Sequence, residues 1–146
     1  MSSRRRAAPW TRGVAPVYFL DTDTCSDAVS AHPSVLHRLE QLDRDQWAIS
    51  SIVKAELRYG LENGKLLSRT QLSLEKFLAL AAVVVFDDKA AVEAAKVRAE
   101  QEKTGRPSGA VDQLIAGHAR ALGATLVTSN LKHFSQVVGL VTETWR

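Results

Sequence analysis

The apolar run Val17-Tyr18-Phe19-Leu20 stops abruptly at Asp21-Thr22-Asp23-Thr24. A short unbroken apolar run bounded by polar residues is the pattern of a strand buried on both faces of a parallel sheet. Three more runs follow, Trp47 to Ile52 (WAISSI), Ala81 to Phe86 (AAVVVF) and Ala124 to Thr128 (ATLVT), and Gly139 to Thr142 predicts a short fifth. Between the runs the apolar spacing becomes helical. Asp23 to Ser30 and Pro33 to Leu42 form two such stretches, the second with Val35, Leu36, Leu39 and Leu42 on one face and Pro33 at its start, where a missing amide proton is harmless. Val53 to Leu61 carries Val53, Leu57 and Leu61 on one face with Glu56 offset from it. Asn63-Gly64 ends that helix, Ser68 is placed to cap the next, and Leu72 to Ala82 supplies its apolar face. Asp87-Asp88 opens a helix that runs past Ala99 to Gly105, and Arg106-Pro107-Ser108-Gly109 is a loop. Asp112 falls in the first turn of the following helix, which turns Leu114, Ile115, Ala119 and Leu122 inward and ends at Gly123.

Strands that alternate with helices predict an α/β fold: a single three-layer α/β/α domain over residues 17–146, with a central, mostly parallel sheet of four to five strands. A chain of 146 residues, 45% of them hydrophobic, suffices for one core. Residues 1–16, MSSRRRAAPWTRGVAP, mix charge, Pro, Gly and Ser without periodicity and predict a flexible basic N-terminal extension. That extension explains the charge. Arg4, Arg5, Arg6 and Arg12 are four of the 19 basic residues and no acidic residue precedes Asp21, so the body carries 15 basic against 16 acidic residues. The formal net charge of +3 is therefore no sign of a basic nucleic-acid face on the folded domain. One cysteine, Cys25, excludes an internal disulfide, and no apolar run is long enough to span a membrane. The cytoplasm is the expected compartment.

Candidate chemistry lies in three carboxylates. Asp21 ends the first strand, Glu56 stands one turn into the helix after the second, and Asp112 opens the helix before the fourth. In a parallel sheet with right-handed crossovers these positions share the carboxyl edge, where open α/β sheets bind ligands. Two bare carboxylates about 4 Å apart repel by roughly 4 kcal/mol at an effective dielectric near 20. Convergence therefore calls for a hard divalent cation such as Mg²⁺ or Mn²⁺, which prefers oxygen ligands and can activate water against a phosphodiester. Taken singly, the same residues have structural uses: Asp21 and Asp23 as helix caps, Asp112 at its helix dipole, Glu56 on a solvated face.

The ordered set of motifs resembles the PIN-domain ribonucleases, and among them the VapC-type toxins of bacterial toxin–antitoxin pairs. The matching residues are Leu20-Asp21-Thr22-Asp23 with Ser26, Ile49-Ser50 followed by Ala55-Glu56-Leu57-Arg58-Tyr59-Gly60, Gly105-Arg106-Pro107 leading to Asp112-Gln113-Leu114-Ile115-Ala116, Leu126-Val127-Thr128-Ser129-Asn130 with Phe134, and Gly139-Leu140. The resemblance implies that Asp21 and Asp112 bind Mg²⁺, with Mn²⁺ as substitute, that Glu56 completes the acidic cluster, and that Thr128 and Asn130 border it by hydrogen bonding. It implies endonucleolytic cleavage of RNA, with tRNA a frequent substrate class, an antitoxin that blocks the site, and a homodimer. The chain departs from the family at three places. Asp23 stands where the family usually has Asn. His133 stands where it often has a fourth acidic residue, which leaves open whether one ion binds or two. The stretch before Val17 is longer than usual, which suggests a start of translation nearer Val17.

Other readings compete. Phe19-Leu20-Asp21-Thr22-Asp23-Thr24 also fits the Asp-x-Asp-x-Thr signature of haloacid-dehalogenase-type phosphatases, with Asp21 as nucleophile and Asp23 as acid/base, but leaves Glu56 and the stretch from Gly105 to Ala116 without a role. A metal-free ribonuclease would use His118 and His133. A non-catalytic domain that binds RNA or protein is the third alternative, with the leucine-rich pair from Val53 to Ala82 as its surface.

Overall fold

In the computed structural model, which describes residues 15–146, the strands are β1 (Tyr18–Leu20), β2 (Trp47–Ser50), β3 (Val83–Val84), β4 (Thr125–Val127) and β5 (Thr142–Glu143). They form one sheet in the order β3-β2-β1-β4-β5 with every neighbouring pair parallel. Each of the first three crossovers is a pair of helices. These are α1 (Thr22–Val29) with α2 (Pro33–Glu40), α3 (Ser51–Glu62) with α4 (Ser68–Leu80), and α5 (Asp88–Thr104) with α6 (Ala110–Leu122); the single turn α7 (Leu131–Phe134) leads to β5. The α/β architecture and its parallel sheet agree with the apolar pattern. Among the described residues no helix is long and apolar enough to cross a membrane.

Strand order fixes where a site can form. The chain winds from β1 outward through β2 to β3, then returns to the other side of β1 for β4 and β5. The reversal falls between β1 and β4, whose register pairs Tyr18 with Thr125 and Leu20 with Val127. A crevice opens beyond the carboxyl ends of two such strands, because their connections leave to opposite faces. The sheet beneath is dry: Phe19, Leu20, Ala48, Ile49, Leu126 and Val127 are fully buried, with Val53, Val97 and Phe134 packed over them.

Several boundaries differ from the sequence expectation for local reasons. The second strand ends at Ser50 rather than Ile52, because the Ser50 hydroxyl accepts the Ile52 N–H and makes Ser51 and Ile52 the first turn of α3. The valine run yields only Val83–Val84 as strand; Val85 is 71% exposed, and β2 has already turned into helix beside it. Ser68 is not a cap. It is the first residue of α4, after an extended Leu67 that makes no side-chain cap bond. The fifth strand lies at Thr142–Glu143, displaced by a left-handed turn at Gly139. Of the expected extension, residues 1–14 lie outside the described residues; Pro16 is buried, and the Val17 and Tyr18 amides both donate to the Gln46 carbonyl.

The pair α5–α6 packs antiparallel, with Gly117 against Ala94 and Arg120 against Glu93. A Cβ at Gly117 would stand 2.4 Å from the Ala94 Cα and N, so the missing side chain sets how closely the helices approach. Arg120 seals one flank, donating to Glu93, Glu100 and the Val138 carbonyl.

Candidate active site at the carboxyl edge

Asp21 follows β1 directly and caps α1, its Oδ1 accepting the Thr24 N–H at 2.8 Å. Its backbone N–H donates to the Val127 carbonyl, and the Thr24 hydroxyl donates to the same carbonyl, so the turn out of β1 is clamped to the end of β4. The side chain is buried, 4% exposed, and burial pushes its carboxyl above the ordinary range. Hydrogen bonds from Thr128 and Thr24 pull it partly back, and the nearby Asp23 charge adds to the push.

Glu56 reaches the same crevice from α3, and the Thr22 hydroxyl donates to its Oε1. Asp112 reaches it from the first turn of α6, where the helix N-terminus favours a negative side chain. Together with Thr22, Asp23, Ile115, Asn130 and Phe134, these three carboxylates line one cavity of about 120 Å³. At about 30 Å³ per water, the space holds roughly four water-sized oxygens.

Thr128 and Asn130 form the β4 rim. The buried Thr128 hydroxyl accepts the Asn130 N–H at 2.9 Å, bending the chain over the end of the strand. The Asn130 side-chain amide meets His133 Nδ1 at 2.9 Å, and the same nitrogen lies 3.0 Å from Asp112 Oδ2. His133 is thus tethered to one of the three carboxylates. Sequence reasoning missed Thr22, whose only signal is its place beside Asp21, and α7, a single turn too short for periodicity to reveal.

Two other groups fall away from the chemistry. Cys25 is fully buried, and burial raises its thiol well above the ordinary range, so it is no nucleophile. His118 is 1% exposed and burial lowers it to about 4, so it cannot act with His133 as an acid–base pair at the cavity. A larger groove of about 560 Å³ runs along α5 and the end of α6, but its Glu93, Lys96 and Arg120 already pair with one another. Size does not mark the reactive place here.

The donor set fits a hard cation. Its liners are carboxylate and amide oxygens, its most buried charge is uncompensated, and neither Asp21 nor Glu56 has a cationic partner among the described residues. Among those residues no three His, Cys, Asp or Glu side chains are drawn into a ready-made cage. Asp21 is fixed as a helix cap and Glu56 is held by Thr22, so closure about an ion is the move a counter-charge would permit.

Comparison with known proteins agrees with this fold. The PIN domain family model matches residues 18–140. The tRNA(fMet)-specific endonuclease VapC of Shigella flexneri is 37% identical over 88% of this chain and 97% of its own length, and ribonuclease VapC2 of Rickettsia felis is 40% identical over 88% and 98%. Among solved structures, DNA-bound VapBC from Salmonella typhimurium superposes with a TM-score of 0.82 at 35% identity, covering 90% of this chain and 99% of that one. Rickettsia felis VapBC2, bound to a DNA fragment from its promoter, gives 0.81 at 40% identity over 88% and 98%. The chain belongs to the PIN-domain family, among the VapC-type ribonucleases of toxin–antitoxin pairs.

Proposed function

We propose that this chain is a toxin that cleaves RNA endonucleolytically at a divalent cation, Mg²⁺ with Mn²⁺ as substitute, held by Asp21 and Asp112. The supporting observation is that Asp21, Glu56 and Asp112, from three distant segments, line one cavity at the switch point of the sheet. A cation bound there supplies Lewis acidity toward the attacking water and the phosphodiester. Around it, Asp21 and Asp112 supply fixed oxygens. Glu56, held by the Thr22 hydroxyl, would take a proton from the attacking water as the phosphorus–O3′ bond breaks, and solvent would protonate the departing 3′-oxygen, giving a 5′-phosphate and a 3′-hydroxyl. Thr128 and Asn130 hold the rim, and His133, with its proton on Nδ1, would steady the Asp112 carboxylate.

The Shigella relative acts on tRNA by name, and tRNA is the substrate class proposed here. The VapBC complexes among the solved structures indicate the partner, a cognate antitoxin. Tyr59, Leu67 and Leu72, on or beside α3 and α4, are exposed apolar side chains of the kind an antitoxin or a second copy in a homodimer would cover. Such a pair would work in the cytoplasm. The test is cleavage of bulk tRNA with EDTA, then with Mg²⁺ restored, followed by analysis of the new ends. Recovery of activity with 5′-phosphate ends is expected. Cyclic phosphate ends in EDTA, or binding without cleavage in Mg²⁺ and Mn²⁺, would overturn the reading.

A further inference from the structure

His118 sits at the meeting point of the elements that carry the three carboxylates. Its Nδ1 lies 2.9 Å from Ser50 Oγ. Ser50 ends β2 and caps α3, and its oxygen already accepts the Ile52 N–H at 3.0 Å. Two arrangements close this contact: the Ser50 proton donated to Nδ1 of an Nε2–H ring, or an Nδ1–H donated to the second lone pair of Ser50 Oγ. Either one ties α6 to the end of β2. Burial lowers the pKa of the ring to about 4, which agrees with a neutral side chain.

The ring also packs edge-on between Phe19 of β1, with centroids 4.9 Å apart, and Phe86 beyond β3, at 5.4 Å. The Phe86 N–H in turn donates to Ser51 Oγ at 2.9 Å, so the start of α3 is held from two sides. Phe19 lies two residues before Asp21, Ser50 six before Glu56, and Asp112 six before His118 itself. One imidazole thus touches the three elements that aim the three acids.

We propose that His118 is a positioning residue for the nuclease site: its hydrogen bond to Ser50 locks α6 to the start of α3 so that Asp112 and Glu56 face one cavity. The proposal rests on the ribonuclease reading above. Six residues of helix span about 9 Å, so a tilt of about 6° at His118 would move Asp112 by about 1 Å. A misplacement of that size is worth on the order of 10²-fold in rate.

The test compares His118→Asn, whose amide oxygen can accept the Ser50 proton, with His118→Phe, which fills the space and accepts nothing. Mn²⁺ affinity is read by calorimetry and cleavage of bulk tRNA by kcat and KM separately. His118→Phe is expected to lose roughly 10- to 100-fold in Mn²⁺ affinity and in kcat, as for other supports of a metal ligand, with KM little changed. His118→Asn is expected to recover most of both. A His118→Phe protein within about 3-fold of the wild type in both readouts, or a folded His118→Asn no better than the Phe variant, overturns the positioning role. Should the Phe variant fail to fold, nitrogen NMR of the wild type and of Ser50→Ala decides: a His118 Nδ1 shift that moves when Ser50 becomes alanine supports the contact, and one that stays put overturns it. A wild type that binds no divalent ion contradicts the metal reading instead, and the Nδ1 shift then judges the contact by itself.

Discussion

The carboxyl edge of the sheet and the α5–α6 pair are built on opposite terms. Along α5–α6, charges are matched and backbones meet with no room left: Arg120 pairs with Glu93 and Glu100, and Gly117 admits no Cβ against Ala94. At the carboxyl edge four carboxylates, Asp21, Asp23, Glu56 and Asp112, line one small cavity, and the most buried of them is pushed toward protonation by its surroundings. The first region matches its charges, whereas the second holds a buried carboxyl whose ionisation its surroundings oppose. The contrast is what supports the proposal that the edge is the place of function, since a ligand of opposite charge would relieve the cluster there.

Substitutions should separate the two regions. The largest expected effect is on activity: Asp21→Asn or Asp112→Asn should reduce RNA cleavage by more than about 10²-fold, since even residues that merely support a metal ligand cost 10- to 100-fold. The fold should survive, because Asn caps a helix about as well as Asp. Full toxicity of both variants on expression would remove the site assignment.

Gly117→Val acts first on the other region. Forcing a side chain onto the Ala94 backbone should cost about 3 kcal/mol of stability in urea unfolding, and the shift it imposes on α6 should lower cleavage as a consequence. An unchanged unfolding midpoint would show that α5 and α6 separate freely. Arg120→Ala, which leaves Glu93 and Glu100 without their guanidinium, should lower the urea unfolding midpoint only slightly and spare cleavage.

The smallest effects are in pH dependence, and the two regions differ in sign. Burial lowers His118 from 6.5 to about 4, so the unfolded chain binds the extra proton between those values. Its contribution is complete above pH 6.5 and is lost as pH falls toward 4, with a slope of at most about 1.4 kcal/mol per pH unit. His118→Phe should flatten that limb in pH-dependent unfolding. Asp21 is shifted upward, so the folded state resists its ionisation and the metal-free protein loses stability as pH rises through and beyond the normal value of 3.8. Metal-free Asp21→Asn should then be at least as stable as the wild type at neutral pH. A clear loss of stability would mean that the ionised carboxylate is a net stabiliser.

How far the sequence disclosed this molecule depended on whether a feature was local. The run from Val17 to Leu20 ending at Asp21, the glycines after α5 and α6, and the apolar faces of the long helices are local signals, and the structure has those elements close to where they were expected. Boundaries failed where one side chain decided between two states, as at Ser50, whose hydroxyl converts the tail of a strand into the start of a helix. Within the candidate site, Asp21, Glu56 and Asp112 could be singled out because strand ends and helix starts share an edge. The contacts that aim them could not: Thr22 with Glu56, His133 with Asp112 and Ser50 with His118 join positions separated by 34, 21 and 68 residues, and no pattern along one chain encodes such pairings.

The central claim, that Asp21, Glu56 and Asp112 gather about one divalent cation, is tested most directly by diffraction from crystals grown with Mn²⁺. The account predicts an anomalous peak within coordination distance of Asp21 and Asp112 carboxylate oxygens and beside Glu56. Strong Mn²⁺ density elsewhere on the protein, with this cavity filled by ordered water alone, would contradict it.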